Sequence, residues 1–354
     1  MITIVLTNRN RDLRIIKKCL DSLKNQTNQE FSCLMIDYGS EEEYLDHLVE
    51  LSNQYSILKL VRCCVSKQLW NKSKAINIAL KQCNTPYFFV GDIDMLYHHD
   101  FIEKLYTLKK QDQAVYFQVG ILSRGESELI KPFDNYVIKH KTSEGATGMT
   151  LFPTQLLKEI NGYDEFYHGW GAEDTDVHIR LINAGYKVCF YNEKVLLLHQ
   201  WHPKEYRSKK SKSVFHSHLE HINHQYIKQT TQQKRSLANV FFGWGTIPQP
   251  IDFSELNTNV LLISNQRSEI EALTCGILDN YEEKYVIVEI RGHAKYRSKI
   301  NTLKKILGKK HFLFYDFQAI NDLLLGHLIS RYRNKYYEYE WNREKKYILL
   351  KIAL

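Results

Sequence analysis

The chain has 354 residues and a net charge of +8, from 48 basic and 40 acidic side chains, with 44% hydrophobic and 25% charged residues. That composition excludes a disordered or fibrous protein, and the length predicts one large or two unequal domains, each able to bury a core. The positive balance suits anionic partners such as sugar nucleotides, a phospholipid surface or nucleic acid. In chain order, Ile2 to Leu6 reads as a buried strand, Asp12 to Leu23 as an amphipathic helix, Phe31 to Ile36 as a strand and Glu41 to Leu51 as a helix. Ile57 to Val61 follows as a strand, Asn71 to Lys81 as a helix, and Tyr87 to Val90 as a strand that runs into Gly91-Asp92-Ile93-Asp94. Repeated strand–helix alternation predicts an α/β fold, a mostly parallel sheet with helices on both faces whose ligands bind at the carboxyl ends of the strands. The first and fourth of these strands end in polar clusters.

From about residue 205 to 255 the texture turns basic, His- and Gln-rich and helical, closing in the turn-rich Gly243-Trp244-Gly245-Thr246-Ile247-Pro248-Gln249-Pro250. The alternation then restarts from Asn259 to Phe314. The expected organisation is therefore a first domain over 1–205, a helical connector over 206–255 and a small α/β domain over 256–354 with no motif of its own. Cys19, Cys33, Cys63, Cys64, Cys83, Cys189 and Cys275 fall mostly in apolar runs without C-x-x-C spacing, which predicts reduced thiols. Met1 runs straight into a strand-like segment, and no apolar run reaches the roughly 18 residues of a membrane span. A cytoplasmic protein, or one peripheral at the inner face of a membrane, is the expectation.

Asp92 and Asp94 stand just beyond a predicted strand, one residue apart, where two carboxylates can share a face and converge on a hard divalent ion. Alone, D-x-D is a common pattern and reads as a solvated turn. It has company: Gly145-Ala146-Thr147-Gly148, then Asn161-Gly162-Tyr163-Asp164-Glu165, then His168-Gly169-Trp170-Gly171-Ala172-Glu173-Asp174-Thr175-Asp176. Acids in a first helical turn complement the helix dipole, yet three in four positions exceed what a cap needs.

This last segment resembles the sequence block of β-1,4-galactosyltransferases and of bacterial chondroitin-polymerase-type enzymes in the large inverting glycosyltransferase family two. Those carry N-G-F, then G-W-G-G-E-D or a close variant, an R-L pair and a Gly. Here the same order reads Asn161-Gly162-Tyr163, Gly169 to Asp174, Arg180-Leu181 and Ala184-Gly185. Upstream, Arg9-Asn10-Arg11 matches R-N-R, Asn71 to Asn77 matches N-R-A-K-x-x-N, and Asp92-Ile93-Asp94 matches D-V-D. The resemblance covers about residues 1 to 205 and implies a GT-A fold. It places Thr7, Arg9 and Arg11 along the nucleotide, and Asp37 by the uracil, although the second acid of that turn is Tyr38 here. Lys72, Lys74 and Asn77 fall at a helix start, where they meet the diphosphate or ribose or else form a solvated basic face. Asp94 becomes the direct ligand of Mn2+ or Mg2+, with Asp92 nearer the ribose or behind the ion's direct ligands. A histidine from a later strand joins it: His199, which closes the apolar run Val195 to Leu198, is preferred to His202. The methionine ligand of the galactosyltransferases is replaced by Leu196.

The implied reaction moves a hexose or N-acetylhexosamine from a UDP-sugar to a carbohydrate or glycolipid acceptor, as in surface polysaccharide or glycan synthesis. Negative charge developing on the departing diphosphate calls for a cation, and the acceptor hydroxyl calls for a base. Asp174 is expected as that base, with Glu173 orienting the acceptor or holding the loop. Trp170 and Gly171, in a Gly-flanked loop, are expected at the acceptor or in a lid. The basic run Lys204 to Lys212, with Arg207, Lys209 and Lys210, reads as a closing segment or a solvated face. Tyr336, Tyr337, Tyr339 and Trp341 with Lys345 and Lys346 read as packing or as a membrane-facing segment. Three rivals stand beside this reading. A nucleic-acid-binding module leaves the four acids without a use. A catalytically silent scaffold of the same fold keeps the motifs without turnover. A retaining transferase or pyrophosphorylase does not need the Gly-Trp-Gly block.

Overall fold

A computed structural model describes residues 1–204, 219–254 and 260–354. The chain divides into two compact units, the first holding the described parts of Met1–Ser66, Trp70–Ser211 and Glu220–Ile247, the second those of Lys67–Leu69, Lys212–Leu219 and Pro248–Leu354. Apart from Lys204, the basic run around Arg207, Lys209 and Lys210 lies outside the described residues.

In the first unit, β1 (Ile2–Asn8) is buried along its whole length. α1 (Leu13–Lys24) begins where Asp12 accepts the Arg14 amide, and it buries Ile16, Cys19, Leu20 and Leu23, the stripe a 3.6-residue period lays on one face. β2 (Phe31–Tyr38), α2 (Glu42–Ser52), β3 (Leu58–Cys63), α3 (Lys72–Gln82) and β4 (Tyr87–Asp92) continue the alternation. Next come β5 (Met95–Tyr97), α4 (Phe101–Leu108), β6 (Gln113–Phe117), β7 (Val119–Leu122), α5 (Arg124–Glu128) and β8 (Ile138–Lys141). β9 (Thr150–Pro153), α6 (Thr154–Glu159), α7 (Glu173–Asn183), β10 (Lys187–Tyr191), β11 (Leu197–His199) and α8 (Leu219–Gln232) complete the unit.

Seven strands form the central sheet, in the order β10-β6-β9-β4-β1-β2-β3. β1 runs parallel to β2 and β4, and β2 to β3, while β9 is antiparallel to both β4 and β6. The mostly parallel sheet expected from the alternation is found, with the antiparallel β9 as an addition that makes it mixed. Its register fixes the functional end: Thr7 lies opposite Asp92, and Asn8 opposite Asp37, so the polar ends of β1, β2 and β4 sit side by side. A second sheet, β5-β11-β7-β8, pairs His199 with Met95 and so carries the end of β11 to the residue after Asp94. Ile4, Leu6, Met35, Phe89, Phe101 and Phe117 belong to one continuous core. All seven cysteines are free thiols, with Cys19, Cys33, Cys63 and Cys83 buried.

The second unit comprises β12 (Val260–Ser264), α9 (Arg267–Ala272), β13 (Tyr285–Arg291), α10 (Lys299–Ile306), α11 (Phe317–Arg331), β14 (Tyr337–Asn342) and β15 (Tyr347–Ala353). Its sheet runs β12-β13-β15-β14, with only the first pair parallel. Tyr337 and Tyr339 are buried, and Tyr339 donates to Asn321 Oδ1 at 3.0 Å, so these two rings pack inside the unit. No described helix is long and apolar enough to cross a membrane.

Candidate active site

The site forms where β1, β2 and β4 end and α7 begins. Asp94 is brought to β11 by the pairing of Met95 with His199, and Gln200 N donates to Asp94 O at 2.9 Å, which locks the turn to the strand end. As a result His202 Nε2 stands 3.1 Å from Asp94 Oδ2 and His199 Nε2 3.7 Å from Asp94 Oδ1. One ligand atom from each of Asp94, His199 and His202 lies within 4.8 Å of the other two. Arg11 reaches the same carboxylate at 3.3 Å. Burial alone would raise the Asp94 carboxyl, but His199, His202 and Arg11 together hold it well below the ordinary carboxylate range.

The residues present fit a divalent ion. Asp94 Oδ1 and His199 Nδ1 are both buried without a hydrogen-bond partner among the described residues, a costly state that a bound cation and its waters relieve. Two imidazoles beside one carboxylate favour a first-row ion such as Mn2+ over Mg2+, which prefers oxygen ligands. A second cluster, His98, His99 and Asp134, carries its own cation, since Lys194 Nζ lies 2.9 Å from His98 Nε2.

Asp92 faces elsewhere. β4 ends at Asp92, so strand alternation does not carry on to Asp94, and the two carboxylates turn to different partners. Asp92 Oδ1 is 3.1 Å from Lys72 Nζ, which also lies 3.4 Å from Glu173 Oε1 and 3.0 Å from Asp174 Oδ2. Lys72 is the first residue of α3, which Asn71 caps by accepting the Lys74 amide at 2.8 Å. Burial opposes the Lys72 charge, but the three carboxylates outweigh it and keep the ammonium protonated far above its usual range. Burial raises both Glu173 and Asp174, and Lys72 pulls each part of the way back. Asp174 Oδ1 is buried without a hydrogen-bond partner among the described residues.

The remaining expected residues divide. Thr7 is buried at the end of β1. Arg9 donates to Ser66 O at 2.6 Å. Asp37 is buried and accepts from Asn8 Nδ2 at 2.6 Å and from Ser40 Oγ at 2.5 Å, with burial raising its carboxyl against those hydrogen bonds. Lys74 is buried. Asn77 does not reach the cleft with a free end: its amide donates to Tyr163 O and Glu165 Oε1 and accepts from Tyr163 N, which ties α3 to the Asn161-Gly162-Tyr163 turn. Trp170 is 41% exposed between Gly169 and Gly171, whose φ values of 73° and 92° require glycine.

Two features were not foreseen. Asn223 on α8 donates to His168 O at 2.9 Å and to Trp170 O at 3.2 Å, so a helix distant in sequence holds the Trp170 loop. Asp176, the third acid of its block, is fully buried against Arg180 Nε at 2.6 Å and serves the fold. Their i, i+4 spacing is the signal that marks this pair in the sequence.

Residues 3–159 match the family model described as glycosyl transferase family 2, and residues 128–202 match the one described as the N-terminal domain of galactosyltransferase. Residues 3–159 are thus similar to glycosyltransferase family 2, the likeness that the order of the motifs implies. β-1,4-Galactosyltransferase 4 of Cricetulus griseus is 29% identical over 160 residues, which are 42% of this chain and 41% of that protein. Chondroitin sulfate synthase 3 of Homo sapiens is 28% identical over 120 residues, 32% of this chain and 13% of that protein. The chain thus spans less than half the length of these relatives. Among solved structures, GalNAc-T7 with UDP, GalNAc and Mn2+ overlays at a TM-score of 0.44 and 15% identity, covering 58% of this chain and 44% of that one. The mannosyltransferase of Pyrobaculum calidifontis in complex with GDP-Man and Mn2+ overlays at 0.43 and 14%, covering 66% and 72%.

Proposed function

We propose that this glycosyltransferase domain is an inverting, metal-dependent enzyme that moves a hexose or N-acetylhexosamine from a UDP-sugar to a hydroxyl of a carbohydrate or glycolipid acceptor. The observation that carries the reading is a pair of open carboxylate oxygens in one site. Asp94 Oδ1 is unpartnered in a carboxylate that lies against two imidazoles, and Asp174 Oδ1 is unpartnered in the carboxylate that meets Lys72. Asp94, His199 and His202 would hold Mn2+, which when bound supplies positive charge to the departing diphosphate. Arg11 adds a fixed cation at the same carboxylate, and Thr7 near the end of β1 and Arg9 just beyond it lie where the nucleotide is expected. Lys72 bridges the donor side at Asp92 to the acceptor side at Glu173 and Asp174, so both halves of the reaction are held by one ammonium.

Asp174 Oδ1 takes the proton of the acceptor hydroxyl as its oxygen attacks the anomeric carbon from the face opposite the diphosphate. Inversion at that carbon follows from a single displacement. Glu173 orients the acceptor, and Trp170 covers the apolar face of a sugar. The histidine preference is now shared, because His202 lies closer to Asp94 than His199 does.

A panel of UDP-sugars incubated with the protein and Mn2+, with UDP release measured, tests this reading. One donor is expected to be hydrolysed or transferred, chelation to stop it, and the product's anomeric configuration to be opposite to the donor's. No donor turned over under any divalent ion, or a retained configuration, would overturn it.

A further inference from the structure

α10 and the residues after it form an amphipathic element that the second unit leaves uncovered. Ser298 caps the helix by accepting Asn301 N at 3.2 Å, and Gly308, at φ 63°, ends it. No residue of α10 is buried. Ile300 is 71% exposed, Leu303 55%, Ile306 75% and Leu307 57%, and their spacing places all four on one side of the helix. Asn301, on the opposite side, donates to Phe312 O at 3.0 Å and accepts from Phe312 N at 2.9 Å. The polar side is therefore clipped to the unit, and Arg267 N donates to Leu313 O at 2.9 Å to fix the following stretch beside the start of α9. The apolar side faces outward.

Charge selects the occupant. From residue 295 to 310 the chain carries Lys295, Arg297, Lys299, Lys304, Lys305, Lys309 and Lys310 and no acidic residue. A second copy would bring the same cations against them, which like-charge repulsion opposes. An interfacial helix has this composition: apolar side chains enter the acyl boundary while flanking lysines meet anionic headgroups. We propose that α10 and its flanks dock the protein on an anionic lipid surface, with Ile300, Leu303, Ile306 and Leu307 inserted. The aromatic segment Tyr336 to Trp341 is not this surface, because Tyr337 and Tyr339 are buried. The proposal is independent of the catalytic reading.

Co-sedimentation of the full chain with vesicles of phosphatidylcholine, with and without phosphatidylglycerol, tests it. Binding is expected to the anionic vesicles well above the neutral ones. It should weaken near 1 M salt, where charge attraction reaches only about 3 Å. Leu303→Glu should abolish it, and Lys304→Gln with Lys305→Gln should weaken it about 25-fold, at roughly fivefold per lysine. Circular dichroism of both variants should match the parent, since every substituted side chain is exposed. Equal binding to both vesicle types, or parent-like binding by folded Leu303→Glu, would overturn the proposal. So would a parent dimer that Leu303→Glu dissociates while vesicles capture neither form.

Discussion

Lys72 Nζ lies 3.0 Å from Asp174 Oδ2, and the same ammonium holds Asp92 at 3.1 Å, so one cation joins the D-x-D turn to the start of α7. Replacing it by Lys72→Met leaves three carboxylates without that partner. Burial already raises Glu173 and Asp174, and losing Lys72 raises both further. Acids whose folded pKa exceeds the unfolded value bind more protons when folded, so their ionisation costs stability as pH rises and that cost vanishes below the unfolded pKa. Denaturant unfolding near neutral pH should therefore show a loss of about 3–5 kcal/mol that shrinks toward acid pH. The acid limb of the transfer rate should also move to higher pH. A loss independent of pH would contradict the assignment.

His199 and His202 are expected to act together. Each lies against Asp94, so His199→Ala and His202→Ala should each weaken Mn2+ binding by at least about tenfold, read by calorimetric titration. If one variant binds as the parent does, that histidine is not a ligand.

Ala172, at φ 76°, occupies a backbone conformation that favours glycine, and it does so where the related motif G-W-G-G-E-D has one. Ala172→Gly should stabilise the protein by about 1 kcal/mol in denaturant unfolding, offset in part by the added freedom of the unfolded chain. A destabilised variant would mean that the Ala172 methyl contributes packing that outweighs the strain.

Asp176 Oδ2 accepts from Arg180 Nε, and Asp176 Oδ1 accepts from Tyr167 and Thr230. Asp176→Ala strands a buried guanidinium, which should cost about 3–5 kcal/mol in unfolding free energy. Mn2+ affinity of the folded fraction should stay unchanged. A selective loss of Mn2+ binding with stability intact would place Asp176 in the site.

The strands and helices from Ile2 to Asp92 were legible because each is a short apolar run or a 3.6-period stripe. The site's position followed from the polar residues at the strand ends. Orientation was less accessible. Asp92 and Asp94 were expected to share a face, but β4 stops at Asp92 and the turn sends Asp94 to β11. Asp176 stands in the same acidic run as Glu173 and Asp174, yet its partner Arg180 lies one helical turn later. The bonds from Asn223 to the Trp170 loop span more than fifty residues, and no local pattern announces them. The exposed side of α10 is a tertiary fact too: its periodicity is readable, but which side the unit covers is not.

Asp174 is assigned as the base, and Asp174→Asn tests that role with one paired measurement: sugar transfer beside calorimetric titration with UDP and Mn2+. Asparagine keeps the shape of the side chain but accepts no proton, and general-base catalysis is worth about 10²- to 10⁴-fold in rate. Transfer should fall by that factor while UDP and Mn2+ bind nearly as before, because the ion is assigned to Asp94, His199 and His202. Transfer at the parent's rate, or loss of UDP and Mn2+ binding along with it, would contradict the claim.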